Sequence, residues 1–468
     1  MSEAPGEVPA ARALPTRGVA AYGAGAGVFE MIRAPGLAIL PALYAKDFGF
    51  ALTTLSLAMF WLRLSDAVMD PLVGYLSDRT RTRWGSRKPW IVASIFVLVP
   101  ACYLLYVPGE SPTLWQFVIA YFLYFLGWAM FDIPYTAWGA EIARSYEERS
   151  RLSVARNFFT NLGLLTISLI PLLPWMSSTS MNFEVTTFIA ALMAILFPAV
   201  VVAMVVTVPG VTMLSTHAAV SIGETLRAIR GNPPLLIFLG AAFLSDLAMG
   251  AAGAMFFIFF DTYLGIGEFF TLIFVTAIAV STASLRVWQS VVRRHSKQTL
   301  LVLCLVLGAA QGAAILLLQP GEWALPLYIG FLSLYYVTAV GREVALYSMI
   351  GDIVDYDTLK TGANRAGQLS SAWMVLRKLG YALGPVIGMY LAGALGYDPG
   401  AAQNDATAIF GLKAANGYLP AILLAAAAVL AVRFPITPER HRVIRRRLDQ
   451  REARRAAAAA ASGAAEPA

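Results

Sequence analysis

Two aspartates stand four residues apart in a largely apolar run, Trp61-Leu-Arg63-Leu-Ser-Asp66-Ala-Val-Met-Asp70-Pro71. On a helix that spacing puts both carboxylates on one face, roughly 6 Å apart along the axis at ~1.5 Å rise per residue. Two carboxylates so close in a low dielectric repel each other, and desolvation penalises the ionisation of each. A cation held between them, or a proton kept on one, relieves both costs, so the pair has the chemistry of an ion-coupling site. Pro71 removes a backbone donor and frees a carbonyl near the pair. Arg63, three residues before Asp66, offers the competing reading of a structural ion pair that leaves Asp70 for the ion.

Other charges sit in apolar surroundings. Glu30 follows a glycine-rich stretch, Gly23 to Gly27, that permits close helix approach, and Arg33 three residues later is its simplest partner. Asp132 lies in Trp128-Ala-Met-Phe-Asp132-Ile-Pro134-Tyr135, where hydrogen bonding to a neighbouring helix is the simpler alternative. Far along the chain, Arg377 and Lys378 interrupt another apolar run. An ionisable group at membrane depth costs about 2.5–3.5 kcal/mol on insertion scales and normally faces a cavity or a partner. Acids in one half and bases in the other suit a polar, hydroxylated ligand, since carboxylates accept its hydrogen bonds and bases donate to it. Trp128, Tyr135, Trp138 and Trp373 could stack on such a ligand or simply pack. Asp246 and the Arg342-Glu343 pair carry less weight: they could gate or line a cavity, or pair structurally.

Helices in a bilayer must position these groups. The chain has 468 residues, 58% hydrophobic and 13% charged, against about 45–50% and about 25% in soluble chains. That composition disfavours a soluble enzyme or a DNA-binding protein. A span needs about 20 apolar residues, and twelve runs qualify, at 19–44, 52–77, 89–108, 114–140, 157–176, 183–208, 235–261, 268–292, 298–318, 323–349, 370–396 and 414–433. No water reaches hydrocarbon to satisfy bare backbone, so these runs are helices. The expected fold is an all-α membrane protein of twelve transmembrane helices in two six-helix bundles. Its parts are an N-terminal segment 1–18, a first bundle 19–208, a central loop 209–234, a second bundle 235–434 and a basic tail 435–468.

Arginines and lysines gather after the second, fourth, eighth and twelfth runs, for example Arg79, Arg81, Arg83, Arg87 and Lys88, while the alternate loops hold little beyond Lys46 and Lys413. The positive-inside rule then places both termini in the cytoplasm of a multi-pass plasma (inner) membrane protein. The net charge of +7 fits loops facing anionic lipid better than nucleic acid. Met1 to Arg17 has no apolar core ahead of a small-residue cleavage site, so no signal peptide is expected. Cys102 and Cys304 lie far apart, and His217, His295 and His441 are not near them in sequence, so neither a disulfide framework nor a zinc site is expected. The tail from Ala456 to Ala461 reads as a frayed basic helix or a disordered segment.

The second run and its loop continue Asp66-Ala-Val-Met-Asp70-Pro71-Leu-Val-Gly74-Tyr-Leu-Ser-Asp78-Arg79-Thr-Arg-Thr-Arg83-Trp84-Gly85-Ser-Arg87-Lys88-Pro89-Trp90. Together with Asp132-Ile-Pro134, Arg156-Asn-Phe-Phe, Gly351-Asp352-Ile-Val-Asp355-Tyr356-Asp357 and Lys378-Leu-Gly380, this resembles the glycoside–pentoside–hexuronide:cation symporters, a branch of the major facilitator superfamily. The resemblance spans essentially the whole chain. It implies alternating-access symport with no cofactor beyond a coupling ion, H+ or Na+. Asp66 and Asp70 would bind the cation, supported by Lys378. Glu30, Asp132 and Arg156, with Tyr135, Trp128 and Trp373, would bind the solute. Asp78, Arg79, Arg83 and Arg87, with Asp352, Asp355 and Tyr356, would form a cytoplasmic gate. Sodium-using members place an amide just before the second aspartate and a hydroxyl three residues before the span-four aspartate. Met69 and Ala129 stand there instead, which favours the proton. The expected partners are a small solute, the cation and the bilayer, with the protein a monomer that binds no nucleic acid.

Three other readings remain open: a carrier of an amphiphile such as a lysolipid, a non-transporting sensor, and a prenyltransferase-like membrane enzyme. The last would need Asp66/Asp70 and Asp352/Asp355 at one membrane face, whereas Asp66 falls in mid-span.

Overall fold

The computed structural model describes residues 14–143, 145–210, 229–363 and 365–463. Most of the N-terminal segment 1–18 and of the central loop 209–234 lies outside the described residues, as do Arg144 and His217. The described residues are α-helical, with short 3-10 and π turns and no strand. In chain order the α-helices are α1 (Thr16–Ala38), α2 (Leu40–Phe48), α3 (Leu52–Arg79), α4 (Lys88–Tyr106), α5 (Leu114–Ile142), α6 (Tyr146–Leu169), α7 (Phe183–Thr207), α8 (Pro233–Ile258), α9 (Phe270–Arg294), α10 (Lys297–Ala313), α11 (Ala324–Thr361), α12 (Ala366–Ala394), α13 (Ala406–Lys413), α14 (Leu419–Val432) and α15 (Pro438–Gly463). Two compact units result: Met1–Leu43 with Trp61–Thr216, and Tyr44–Phe60 with His217–Ala468.

The expectation of twelve spans in two six-helix bundles is corrected here. Among the described residues, seven stretches are long and apolar enough to cross a membrane: Lys88–Tyr106, Leu114–Ile142, Phe183–Thr207, Pro233–Tyr263, Gly267–Val292, Ala324–Thr361 and Ala406–Val432. An eighth is added if α1 and α2, bent by 44° at their junction, count as one. The remaining runs fall short for visible reasons. Helices α3, α6 and α12 have the length, but Arg63, Asp66 and Asp70, or Arg151 and Arg156, or Arg377 and Lys378 interrupt their apolar character. Helix α10 has only 17 residues. The apolar side chains left outside the packing, among them Phe96, Ile195, Val206 and Leu317, give the surface its hydrocarbon character.

In the first unit, α1 and α6 touch through glycine. A Cβ on Gly27 would stand 2.6 Å from the Phe159 carbonyl oxygen, and one on Gly163 would collide with the Gly27 carbonyl. Small residues four apart, Gly23 and Gly27, leave a groove that the partner backbone fills. Pro35 cannot donate a backbone bond, and α1 bends soon afterwards at Ile39. Tyrosine hydroxyls donate to carbonyls in that stretch: Tyr106 and Tyr124 to Ile32, and Tyr121 to Gly36. This is how buried backbone acceptors remain satisfied away from water.

In the second unit, α8 and α12 pack in the same manner through Gly250, Gly380 and Gly384. Buried Trp288, Cys304, Leu346, Met349 and Trp373 belong to its apolar core. Two π turns interrupt it, at Phe259–Tyr263 and Ala414–Tyr418. Helix α11 runs past the expected end at residue 349: beyond that point it carries Gly351 in its interior, meets no proline, and ends at Gly362, whose φ of +75° closes it. Asp352, Asp355 and Tyr356 therefore sit on a helix rather than in a connecting loop. Helix α15 is formed from Pro438, with Ile444 and Leu448 buried in the second unit.

Gly163→Leu should lower the thermal midpoint of the purified protein by several degrees, since overpacking costs about 1–3 kcal/mol. Gly253→Ala, where a Cβ meets nothing within 4 Å, should leave it unchanged or raise it slightly. Equal midpoints for both variants would show that the α1–α6 glycine contact carries no stability.

Candidate functional site

The first unit brings its acids to arginines on the same unit. Glu30 and Arg33, one turn apart on α1, make a two-pronged pair: Arg33 donates Nε to Oε2 at 2.7 Å and Nη2 to Oε1 at 2.6 Å. Arg33 also lies over the Trp128 ring at 5.8 Å. The pairs on α3 and α5 are looser. Arg63 approaches Asp66 at 3.9 Å while its guanidinium covers the Phe125 ring at 4.6 Å. Arg156 approaches Asp132 at 3.9 Å and covers the Tyr135 ring at 5.5 Å. At 3.9 Å an ion pair has electrostatic attraction without a direct hydrogen bond, so these arginines offset charge while leaving donors for another acceptor. Asp66, Asp70 and Asp132 are all half-buried.

The aromatic expectations divide. Trp128 is half-buried beside Arg33, where a ring face can serve both a cation and a ligand. Tyr135 is buried, stacked on Tyr22 at 4.4 Å, and donates its hydroxyl to the Tyr22 carbonyl at 2.8 Å. Trp373 is buried in the second unit, edge-on to Phe238 and Tyr347. Both rings are packed among other aromatic side chains. Lys378 is exposed on α12 of the second unit.

At the arginine-rich end of the first unit, Arg87 is the hub. It meets Asp78 at 2.5 Å and Glu141 at 2.6 Å, and donates to the Ser77 hydroxyl at 2.9 Å. Burial disfavours its charge, but the hydrogen bonds to Glu141 and Asp78 outweigh that and hold its pKa above the ordinary arginine value. Arg79 and Arg83 stand outside this hub, stacked on Tyr75 at 4.2 Å and on Trp84 at 5.7 Å. In the second unit Asp352 binds Lys297 at 2.6 Å, and Asp355 lies 3.0 Å from His441 and 3.3 Å from Arg445. Tyr356 packs against the apolar core. Glu141, Lys297, His441 and Arg445 were not foreseen as members of these networks. Each sits near a helix end where charge is common, and only the tertiary packing selects it.

A second cluster was underestimated from sequence. Asp246 on α8, Arg342 and Glu343 on α11, and Arg377 on α12 form a continuous chain of ion pairs at 2.6, 2.6 and 2.7 Å. Among the described residues no three His, Cys, Asp or Glu side chains gather to hold a metal ion.

The family model for MFS/sugar transport proteins matches residues 21–438. An uncharacterized symporter of Synechocystis sp. is 28% identical over 83% of this chain and 88% of its own. A glucuronide carrier protein homolog of Escherichia coli K12 is 22% identical over 93% of this chain and 96% of its own. The inward-facing, unoccupied structure of a bacterial homolog of the human lysosomal transporter Spinster superimposes with a TM-score of 0.65 over 92% of this chain and 100% of that one, at 12% identity, a likeness of fold alone. A family match that runs unbroken from α1 to the first residue of α15 decides the affiliation: the chain belongs to the MFS/sugar transport proteins, membrane carriers rather than enzymes.

Proposed function

We propose that this carrier is a proton-coupled symporter of a sugar, glycoside or related small polar solute, of the glycoside–pentoside–hexuronide:cation type, working by alternating access in the plasma membrane with both termini cytoplasmic. The observation that carries the reading is the Asp66/Asp70 pair. Two half-buried acids lie one turn apart on α3, and Arg63 reaches Asp66 only to 3.9 Å. A proton settling on one acid removes their mutual repulsion. Met69 and Ala129 add no oxygen ligands that a sodium ion could use.

Asp132 and Arg156 are the solute-binding pair, with Trp128 as the ring face. Because the two charges do not bond directly, a hydroxylated solute can bridge them, donating to the carboxylate and accepting from the guanidinium. Glu30 holds Arg33 in place beside Trp128. The Arg87 network of the first unit and the Asp352/Asp355 network of the second act as gate elements. Coupling follows because proton and solute each change the charge and hydrogen bonding that closure must bury.

The tests use proteoliposomes and a panel of labelled lactose, melibiose, methyl xyloside and methyl glucuronide. In sodium-free buffer an imposed pH gradient should drive uphill accumulation of at least one panel member. Accumulation only when sodium is supplied would refute proton coupling. Asp70→Asn should reduce accumulation on the order of tenfold or more, the consequence of about 1.4 kcal/mol, and unimpaired uphill uptake would defeat the cation assignment. Asp132→Asn should raise KM by about 10- to 100-fold, the effect of losing a charge-assisted hydrogen bond of about 1.5–3 kcal/mol. An unchanged KM would remove Asp132 from the solute site. Saturable binding without counterflow would identify a sensor instead.

A further inference from the structure

We infer that Asp246 is a second proton-binding site of this carrier, located in the second unit and distinct from Asp66/Asp70. The inference extends the proton-coupled reading given above.

The geometry is that of a shared arginine rather than a structural staple. The Asp246 side chain is 0% exposed and that of Arg342 3%. Arg342 divides its two terminal nitrogens. Nη1 donates to Asp246 Oδ1 at 2.6 Å and to the Ser245 hydroxyl at 2.8 Å. Nη2 donates to Glu343 Oε1 at 2.6 Å and to the Tyr381 hydroxyl at 3.2 Å. Its Nε, and Asp246 Oδ2, are buried with no hydrogen-bond partner among the described residues. The contrast with Glu30 and Arg33 is direct. There a carboxylate of the same chemistry takes both Nε and Nη2, and both oxygens are used. An arginine kept only to pin helices would adopt that fork, because an unmet buried polar atom costs free energy.

Oδ2 is therefore the position at which a proton can join without breaking an existing hydrogen bond. The step is a simple one: a proton from water adds to Oδ2, the carboxylate becomes a neutral acid, and Oδ1 goes on accepting from Arg342.

The surroundings decide which acid takes the proton. Glu343 has two arginines, Arg342 at 2.6 Å and Arg377 at 2.7 Å, and its side chain is 26% exposed. Asp246 has one arginine and no exposure, so it gains more from neutralisation. The groups facing it are few. Helix α11 brings Arg342 and Glu343, and α12 brings Arg377 and Tyr381. Helix α10 brings Cys304, near Arg342. Helix α14 is wholly apolar. On α8 itself the adjacent polar group is Ser245. Farther along, Lys413 faces the Tyr263 ring at 5.1 Å, beyond the end of α8.

With all four charges formed, two acids and two bases sum to zero, and one added proton leaves the cluster with a single positive charge. Arg377 is prepared for such a change. Its guanidinium lies over Tyr347, Trp373 and Tyr381 at 5.7, 5.8 and 5.7 Å, rings that hold a cation when its carboxylate partner is drawn elsewhere. Exposure rises along the cluster from Asp246 to Glu343 and Arg377, giving it a dry end and a wet end.

Infrared titration of the purified protein without solute, between about pH 9 and about pH 4, reads the proton directly. The wild type should show the C=O band of a buried protonated acid rising as pH falls. Growth on aspartate carrying 13C in its side-chain carboxyl should shift that band, which assigns it to aspartate without any substitution. One component of that band should disappear in Asp246→Asn and persist in Asp70→Asn, separate from any component that Asp66/Asp70 contributes. A wild type with no such band, a band that fails to shift with labelled aspartate, or a band whose every component survives Asp246→Asn would overturn the inference. Loss of the whole band in Asp70→Asn alone would overturn it too, by moving the proton to the first unit while leaving proton-coupled symport standing. Should Asp246→Asn fail to fold, Asp246→Glu serves: in the doubly substituted Asp70→Asn, Asp246→Glu protein the band should no longer shift with labelled aspartate, and a shift that persists would overturn the assignment.

Discussion

An ionised side chain in hydrocarbon has nowhere to put its charge except against an opposite one, a bound ion or a cavity. That constraint governs every functional group in this chain. The acids of the first unit and the Asp246 cluster of the second lie in segments otherwise rich in apolar residues, and Glu30, Asp66, Asp132 and Asp246 each have an arginine within 3.9 Å. Neutralisation is so general that it cannot by itself identify function. The information lies in how completely each pair is satisfied.

On that measure the pairs fall into kinds. Glu30–Arg33 is closed, with both carboxylate oxygens and two guanidinium nitrogens used. A closed pair behaves as one neutral group and orients what it touches, here the Trp128 face. Arg63–Asp66 and Arg156–Asp132 stand at 3.9 Å, beyond direct hydrogen-bond reach of one another. Arg342 is divided between two acids. Separated and divided pairs are less tightly committed to one another than a closed fork, which suits binding that is reversed in each transport cycle.

Much of this was legible in the sequence, for reasons of period. Asp66 and Asp70, and Glu30 and Arg33, are neighbours because a helix repeats every 3.6 residues, so spacing alone puts them together. The arginine-rich loop after α3 was equally plain. Contacts between distant helices were not. Nothing in the spacing of Arg87 and Glu141, or of Lys297 and Asp352, announces a bond that forms only when two helices pack. For Tyr135 and Trp373 the burial was not legible, because an aromatic residue on a membrane helix looks the same in sequence whether it faces a hollow or a core. The span count was overread for a related reason. Stretches such as α3 and α12 have enough apolar residues to look continuous, while their charged residues lower their apolar character below that of a simple membrane crossing.

The same helices thus carry both the weakest hydrophobic signal and the greatest concentration of functional groups. Helix α3 holds Arg63, Asp66 and Asp70, and α12 holds Arg377 and Tyr381. Such helices cannot be held by hydrocarbon burial alone, so close backbone packing has to hold them. In α12, Gly380 and Gly384 bring the backbone against Asp246 and Leu247 of α8. That contact also decides the chemistry, because a larger residue at Gly380 would press on the Asp246 Cβ at 2.9 Å and displace the carboxylate from Arg342. A small-residue seam and a buried charge cluster are therefore two aspects of one arrangement: the first allows the approach, and the second needs that approach to keep its charges paired away from water.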